Sequence, residues 1–306
     1  MRKKRWKMKV AAFLLAAACA AVAPVAVYAG TDKTSGPASD PELLQRMNKD
    51  SDASETEMDA GAQTNDSQTG DNGTGELTEE ELALARQAQE AEAAGMVASG
   101  GRYIDPNAPM VALTFDDGPY APVGNRIMDC AELYGGRVTF YVVGERVNTY
   151  QSEILRMHNN GHEIGNHTQN HKHLQKLGAL EIRQQVEACN QAVAAITGEA
   201  PKTVRLPGGG KNSTVLANIS QPIVLWDVDT RDWKTRNAAS SIQTVLSQVK
   251  DGSVILMHEL YGASGDAAVT IIPELVKRGY QLVTVSELAQ FRGGMAGGTV
   301  YYSFHR

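Results

Sequence analysis

The sequence predicts an α/β fold on a parallel sheet, and its length favours winding that sheet into a β/α barrel. Three observations carry this. From Met110 onwards, short apolar runs alternate with segments in which apolar residues recur every three to four positions, the pattern of strands alternating with amphipathic helices. About seven such units over roughly 200 residues suit a barrel better than a short open sheet, although an open doubly wound sheet satisfies the same alternation. Polar residues suited to catalysis follow the strand segments, and the carboxyl ends of strands are where such folds place their sites.

In chain order, residues 1–29 open with Arg2, Lys3, Lys4, Arg5, Lys7 and Lys9, continue in an apolar run from Val10 and end in Val27-Tyr28-Ala29. That is the pattern of a secretory signal peptide; an uncleaved membrane anchor is the alternative, with lipidation at Cys19 a weaker one. Residues 30–100 hold 16 acidic and 4 basic residues and almost no aromatic or β-branched apolar ones. Such a stretch buries too little surface to offset its ordering entropy, which predicts an acidic low-complexity linker. Within it Thr78 and Glu81 make a capping box, and the Ala/Glu/Gln-rich stretch Glu79 to Ala94 predicts one short helix, either a spacer or a helix that frays in solvent.

Residues 101–306 form the third region, with 19 acidic and 19 basic residues. Strands are predicted at 110–115, 137–143, 203–206, 222–227, 253–257 and 281–284, and helices at 125–134, 146–159, 179–197, 237–249 and 267–278. Gly135, Gly136, Gly161, Gly198 and Gly279 fall where those helices should stop. The neutral balance, and the lack of a basic patch interleaved with aromatics, argue against a nucleic-acid partner. Cys130 and Cys189 lie among apolar neighbours in expected helices, so they read as buried free thiols, although export would permit a disulfide.

Asp116-Asp117 ends the first strand, and successive side chains there diverge, so one carboxylate can hold a metal while the other serves as a base. His167 and His171 have the spacing of paired metal ligands, and two imidazoles with a carboxylate suit a divalent ion with open positions. Arg205 precedes Pro207-Gly208-Gly209, a tight loop whose backbone N–H groups can approach a substrate oxygen. Asp232 and His258 follow two further strand segments.

Taken in order, Thr114-Phe115-Asp116-Asp117-Gly118-Pro119, His167-Thr168-Gln169-Asn170-His171, Arg205-Leu206-Pro207-Gly208-Gly209, Asp229-Thr230-Arg231-Asp232-Trp233 and Leu256-Met257-His258 resemble the five motifs of the polysaccharide deacetylase family, the NodB-homology enzymes of carbohydrate esterase family 4. The resemblance spans about residues 108–290 and implies a distorted (β/α)7 barrel that removes acetyl groups from N-acetylated sugars of a cell-wall polysaccharide, peptidoglycan first among them. It further implies Asp117, His167 and His171 as ligands of a divalent metal, Zn2+ or else Co2+ or another ion. Asp116 would be the general base, Arg205 its partner, and His258 the acid that protonates the leaving amine, tuned by Asp232. Trp233 and Leu256 would line the acetyl pocket, and the Gly208 N–H would face the oxyanion. The family usually carries an aromatic residue where this chain has Gly208, which removes one wall of the sugar groove. An O-acetyl esterase acting on xylan, a chitooligosaccharide deacetylase and a non-catalytic glycan-binding protein are the alternatives. A monomer outside the cell or in the wall is expected, touching the membrane only through residues 1–29 if these are retained.

Overall fold

The computed structural model describes residues 78–306, so the expected signal peptide and most of the linker lie outside the described residues. Ten strands and ten α-helices follow one another among the described residues. Helix α1 (Glu79–Ala93) is followed by β1 (Val97–Ser99), β2 (Arg102–Ile104), β3 (Met110–Asp116), α2 (Ala121–Leu133) and β4 (Thr139–Val142). Then come α3 (Gly144–Val147), α4 (Gln151–Asn159), β5 (Glu163–Asn166), α5 (Ala179–Thr197), α6 (Ser213–Ala217), β6 (Ile223–Val224) and β7 (Val228–Asp229). The chain continues through α7 (Asp232–Thr235), α8 (Ala238–Gln248), β8 (Ser253–His258), α9 (Gly262–Lys277), β9 (Gln281–Leu282), α10 (Val285–Phe291) and β10 (Val300–Tyr301).

The main sheet is parallel and runs β5-β4-β3-β8-β7. Strand β8 covers one edge of β3 from Val111 to Asp116, and the other edge is shared by β9 at Met110–Val111 and β4 at Thr114–Asp116. This register sets Asp116 directly beside His258 and beside Tyr141. Single parallel bridges continue past β5 from Asn166 to Val204 and from Val204 to Ile223, where β6 pairs with β10.

Every residue of β3 is buried, as expected of a central strand covered on both faces. Alternate residues sort accordingly. Val111, Leu113 and Phe115 join Ile127, Met128, Ile271 and Leu275 of α2 and α9, whereas Met110 and Ala112 face Tyr141, Val224 and Val254. Thr114 and Asp116 continue the second row by the two-residue period.

Some expected elements differ in detail. The strand at 203–206 reduces to the single bridges of Val204, and 222–227 breaks into β6 and β7. Its carbonyls explain the break: those of Val224 and Leu225 accept bonds from the buried Arg205 guanidinium instead of continuing a ladder. The helix at 146–159 is split into α3, a short 3-10 turn and α4, because Tyr150 (φ −124°, ψ 44°) leaves the helical region. Helix α9 starts at Gly262, five residues before the periodicity signalled it. The hairpin β1–β2 and the short α6, α7, α10 and β10 span too few residues for periodicity to reveal. Helix α1 carries the Thr78–Glu81 capping box and buries no side chain. Ser99 and Arg102 bond Glu287, the latter at 2.6 Å, so packing begins at the hairpin before residue 101. Cys130 and Cys189 are free thiols, Cys189 buried and Cys130 only partly so.

Candidate active site

The first motif gets its shape from the end of β3. Asp116 closes the strand almost fully buried, and Asp117 adopts φ 72°; Asp116 Oδ2 and Asp117 Oδ1 both approach His167 Nε2, at 3.6 Å and 3.4 Å. The loop beyond is held from below. Tyr120 N–H donates to Glu259 Oε1 at 2.7 Å, and the Glu259 carboxyl fills the space that a side chain at Gly118 or Gly124 would need. Both glycines are therefore required for the close approach. Burial pushes the Glu259 carboxyl up to about 8.

The second motif supplies the imidazoles. His167 Nδ1 lies 2.9 Å from the Arg205 carbonyl, which fixes that nitrogen as the donor and leaves Nε2 facing Asp117 Oδ1 at 3.4 Å. His171, in the left-handed region at φ 55°, places its Nε2 3.2 Å from the same oxygen. The ligand atoms of Asp117, His167 and His171 all lie within 4.8 Å of one another. Asp117 Oδ1 is buried with no hydrogen-bond partner, an orphaned acceptor pointing at two imidazole nitrogens. This donor set fits a divalent cation. Burial alone would raise the Asp117 carboxyl, but the adjacent imidazoles of His167 and His171, with His258 beyond, outweigh it and bring it to about 2.

Arg205 is fully buried, and each of its nitrogens is engaged. Nη1 donates to Asp116 Oδ1 at 2.8 Å and to Thr114 Oγ1 at 2.6 Å, while Nε and Nη2 reach the Val224 and Leu225 carbonyls. The guanidinium also lies over the Tyr141 ring, 4.0 Å from its centroid. Asp116 is thereby held in one orientation, with Oδ2 3.6 Å from His167 Nε2.

On the other side His258 Nδ1 lies 2.8 Å from Asp232 Oδ1, so the ring presents Nε2 outward. Asp232 is itself fixed by the His258 N–H, the Trp233 N–H and the Ser264 hydroxyl. Burial would lower the His258 pKa, yet the Asp232 bond and the charges of Asp116, Asp232 and Asp117 outweigh it and raise it. Leu256, buried on β8, accepts the Thr230 hydroxyl on its carbonyl, and Trp233 is half exposed on α7. Gly208 takes φ 62° in an exposed turn after Pro207.

Asp116, Asp117, His167, His171, Arg205, Asp232 and His258 thus come together where β3, β5, β7 and β8 end, whereas Gly208 is placed against His173. Thr114, Tyr141, Ser264 and Glu259 were missed as supports. Thr114 opens the first motif and Glu259 follows the last, which was a usable signal; Tyr141 and Ser264 approach only through the fold.

Fold and geometry together define a parallel α/β protein carrying a two-histidine, one-carboxylate centre beside an Asp–Arg pair and an Asp–His pair. The polysaccharide deacetylase family model matches residues 103–222. The peptidoglycan-N-acetylmuramic acid deacetylase PdaC of Bacillus subtilis is 41% identical over 189 residues, covering 62% of this chain and 40% of that protein, and its solved structure superposes with a TM-score of 0.60 over 61% of this chain and 93% of that one. A peptidoglycan-N-acetylglucosamine deacetylase of Bacillus cereus is 36% identical, covering 60% of this chain and 70% of its own length. A family 4 acetyl xylan esterase from Clostridium thermocellum, solved with a cobalt ion, is 33% identical with a TM-score of 0.60, covering 63% of this chain and 98% of that one. The chain belongs to the polysaccharide deacetylase family. It spans about two fifths of the length of PdaC.

Proposed function

We propose that the protein is a metal-dependent hydrolase that removes N-acetyl groups from N-acetylglucosamine-type sugars of peptidoglycan, releasing acetate. The observation that carries this is the cluster of Asp117, His167 and His171, with the Asp116–Arg205 pair beside it and the Asp232–His258 pair supporting the reading of a base and an acid at one cation site. Asp117, His167 and His171 would hold the ion, Zn2+ by its preference for mixed imidazole and carboxylate ligands, with Co2+ the alternative favoured by the clostridial relative. When bound, the ion supplies Lewis-acid polarisation of the acetyl carbonyl and acidifies water.

The chain's own residues do the rest. Asp116, held in orientation by Arg205, accepts a proton from the attacking water through its Oδ2. The Gly208 N–H is suited to the developing oxyanion, since its left-handed turn brings bare backbone to the surface. His258, its Nδ1 anchored on Asp232, delivers a proton from Nε2 to the amine nitrogen, which leaves poorly without one. Trp233 and Leu256 would bound the space for the acetyl methyl. These assignments rest on motif position and on the distances above.

The finer architecture is a distorted (β/α)7 barrel. It is supported by the bridges Asn166–Val204–Ile223, which extend the β5 edge towards β6, while the chain from β6 to β7 returns to β8. Residues 1–29 would direct export and 30–100 would tether a monomeric catalytic region at the wall, as their composition supports. Acetate release from purified peptidoglycan by the zinc-loaded protein tests the proposal, and no release there or from chitopentaose would overturn it. The clostridial relative favours a second reading, acetylxylan esterase; faster release from acetylxylan than from peptidoglycan would establish it.

A further inference from the structure

The loops after His171 and after Arg205 pack against each other at the mouth of the site. A side chain at Gly208 would begin 3.3 Å from His173 Cε1, and one at Gly210 would run into the Gln175 amide. Asn212 Nδ2 also donates to the Gln175 carbonyl at 3.2 Å. The imidazole of His173 thus stands against the position where an aromatic side chain is absent, and the left-handed φ of Gly208 disfavours restoring one.

The charge of this wall is one-sided. No acidic residue occurs between Asn166 and Glu181 or between Lys202 and Asp227, whereas Lys172, Lys176 and Lys211 all lie on these loops, exposed. Among the described residues the lysine ion pairs are Lys202–Glu199 and Lys277–Glu274, both elsewhere. Lys211 is directed onto Tyr302, its Nζ 2.7 Å from the phenol oxygen. Because residues 101–306 are neutral in total, the wall is a local concentration of cations. A neutral glycan gains little from such a surface, while an acidic one is attracted and oriented by it.

We propose that this wall, with His173 as hydrogen-bonding face and Lys172, Lys176 and Lys211 as cations, binds carboxylate substituents of an acidic glycan. The protein would then prefer peptidoglycan strands, with the free carboxylates of their peptides, over uncharged chitooligosaccharides or xylan. The inference rests on the deacetylase reading for its substrate but is tested apart from catalysis.

The zinc-loaded full chain is cosedimented with insoluble peptidoglycan whose carboxylates are free or amidated, alongside a Lys176→Gln/Lys211→Gln variant. Amidation weakens wild-type binding roughly five- to tenfold at low salt, and the difference shrinks at high salt. The variant loses most of that preference, since only Lys172 and His173 of the wall remain, and releases acetate from chitopentaose at the wild-type rate. A variant that keeps the full preference for free carboxylates, or wild-type binding indifferent to amidation, overturns the inference. Failure of acetate release from every substrate counts against the deacetylase reading and leaves the binding result standing.

Discussion

Two carboxyl groups of this protein owe their behaviour to neighbours that the chain brings from far away. Asp232 fixes His258 and raises its pKa, so a reaction that needs protonated His258 declines as pH rises through that raised value. Asp232→Asn removes the charge and weakens the bond, which should move the alkaline limb of the kcat profile to lower pH and reduce kcat about 10²-fold or more. A limb that stays in place would show that His258 is not the acid. Glu259 behaves in the opposite sense from a paired carboxylate. Its folded pKa, raised by burial from 4.5 to about 8, means that stability is fully present below the ordinary carboxyl value and is lost as pH rises towards 8. Glu259→Gln keeps an acceptor for the Tyr120 N–H without the charge. Urea unfolding should therefore give a higher midpoint for the variant near pH 8 and no difference near pH 4.

At the scale of elements, the loop from Asp116 to Tyr120 is positioned by what lies under it. Helix α2 begins at Ala121, and Gly124 in its first turn faces the Glu259 carboxyl. In an exposed helix, Gly→Ala stabilises by about 1 kcal/mol through propensity. Here the added methyl would displace a fully buried side chain, so Gly124→Ala should destabilise by about 1–3 kcal/mol, read by the urea midpoint. A stabilised variant would mean that the Glu259 side chain moves freely, contrary to its burial. The same scale explains why β6 and β7 are short. Arg205 takes the carbonyls that a continuous strand would offer, and the sheet gives up ladder length to seat the partner of Asp116.

For the molecule as a whole, the site joins parts of the chain that are distant in sequence, from Asp116 to His258. A cation held by Asp117, His167 and His171 would tie β3 to the loop after β5, and binding to the folded state alone would add about 2.7 kcal/mol at a hundredfold excess over Kd. Zinc should accordingly raise Tm and chelation should lower it while abolishing acetate release. An unchanged Tm on zinc addition, in protein first stripped of metal, would argue against the ligand set.

Much of this was legible before folding. The alternation of apolar runs, the glycine stops, the Thr78–Glu81 cap and the order of the polar residues depend on local periodicity and on side-chain chemistry, which a linear sequence carries. The left-handed turn at Asp117 was not foreseen by the strand-end argument for separate roles of Asp116 and Asp117. What only the tertiary structure decided is which groups share a buried space: Arg205 over Tyr141 and bonded to Thr114, Ser264 on Asp232, Glu259 under Gly118 and Gly124, and His173 against Gly208. Each joins segments separated along the chain, and their proximity is set by the packing of helices on a sheet whose register the local pattern does not specify.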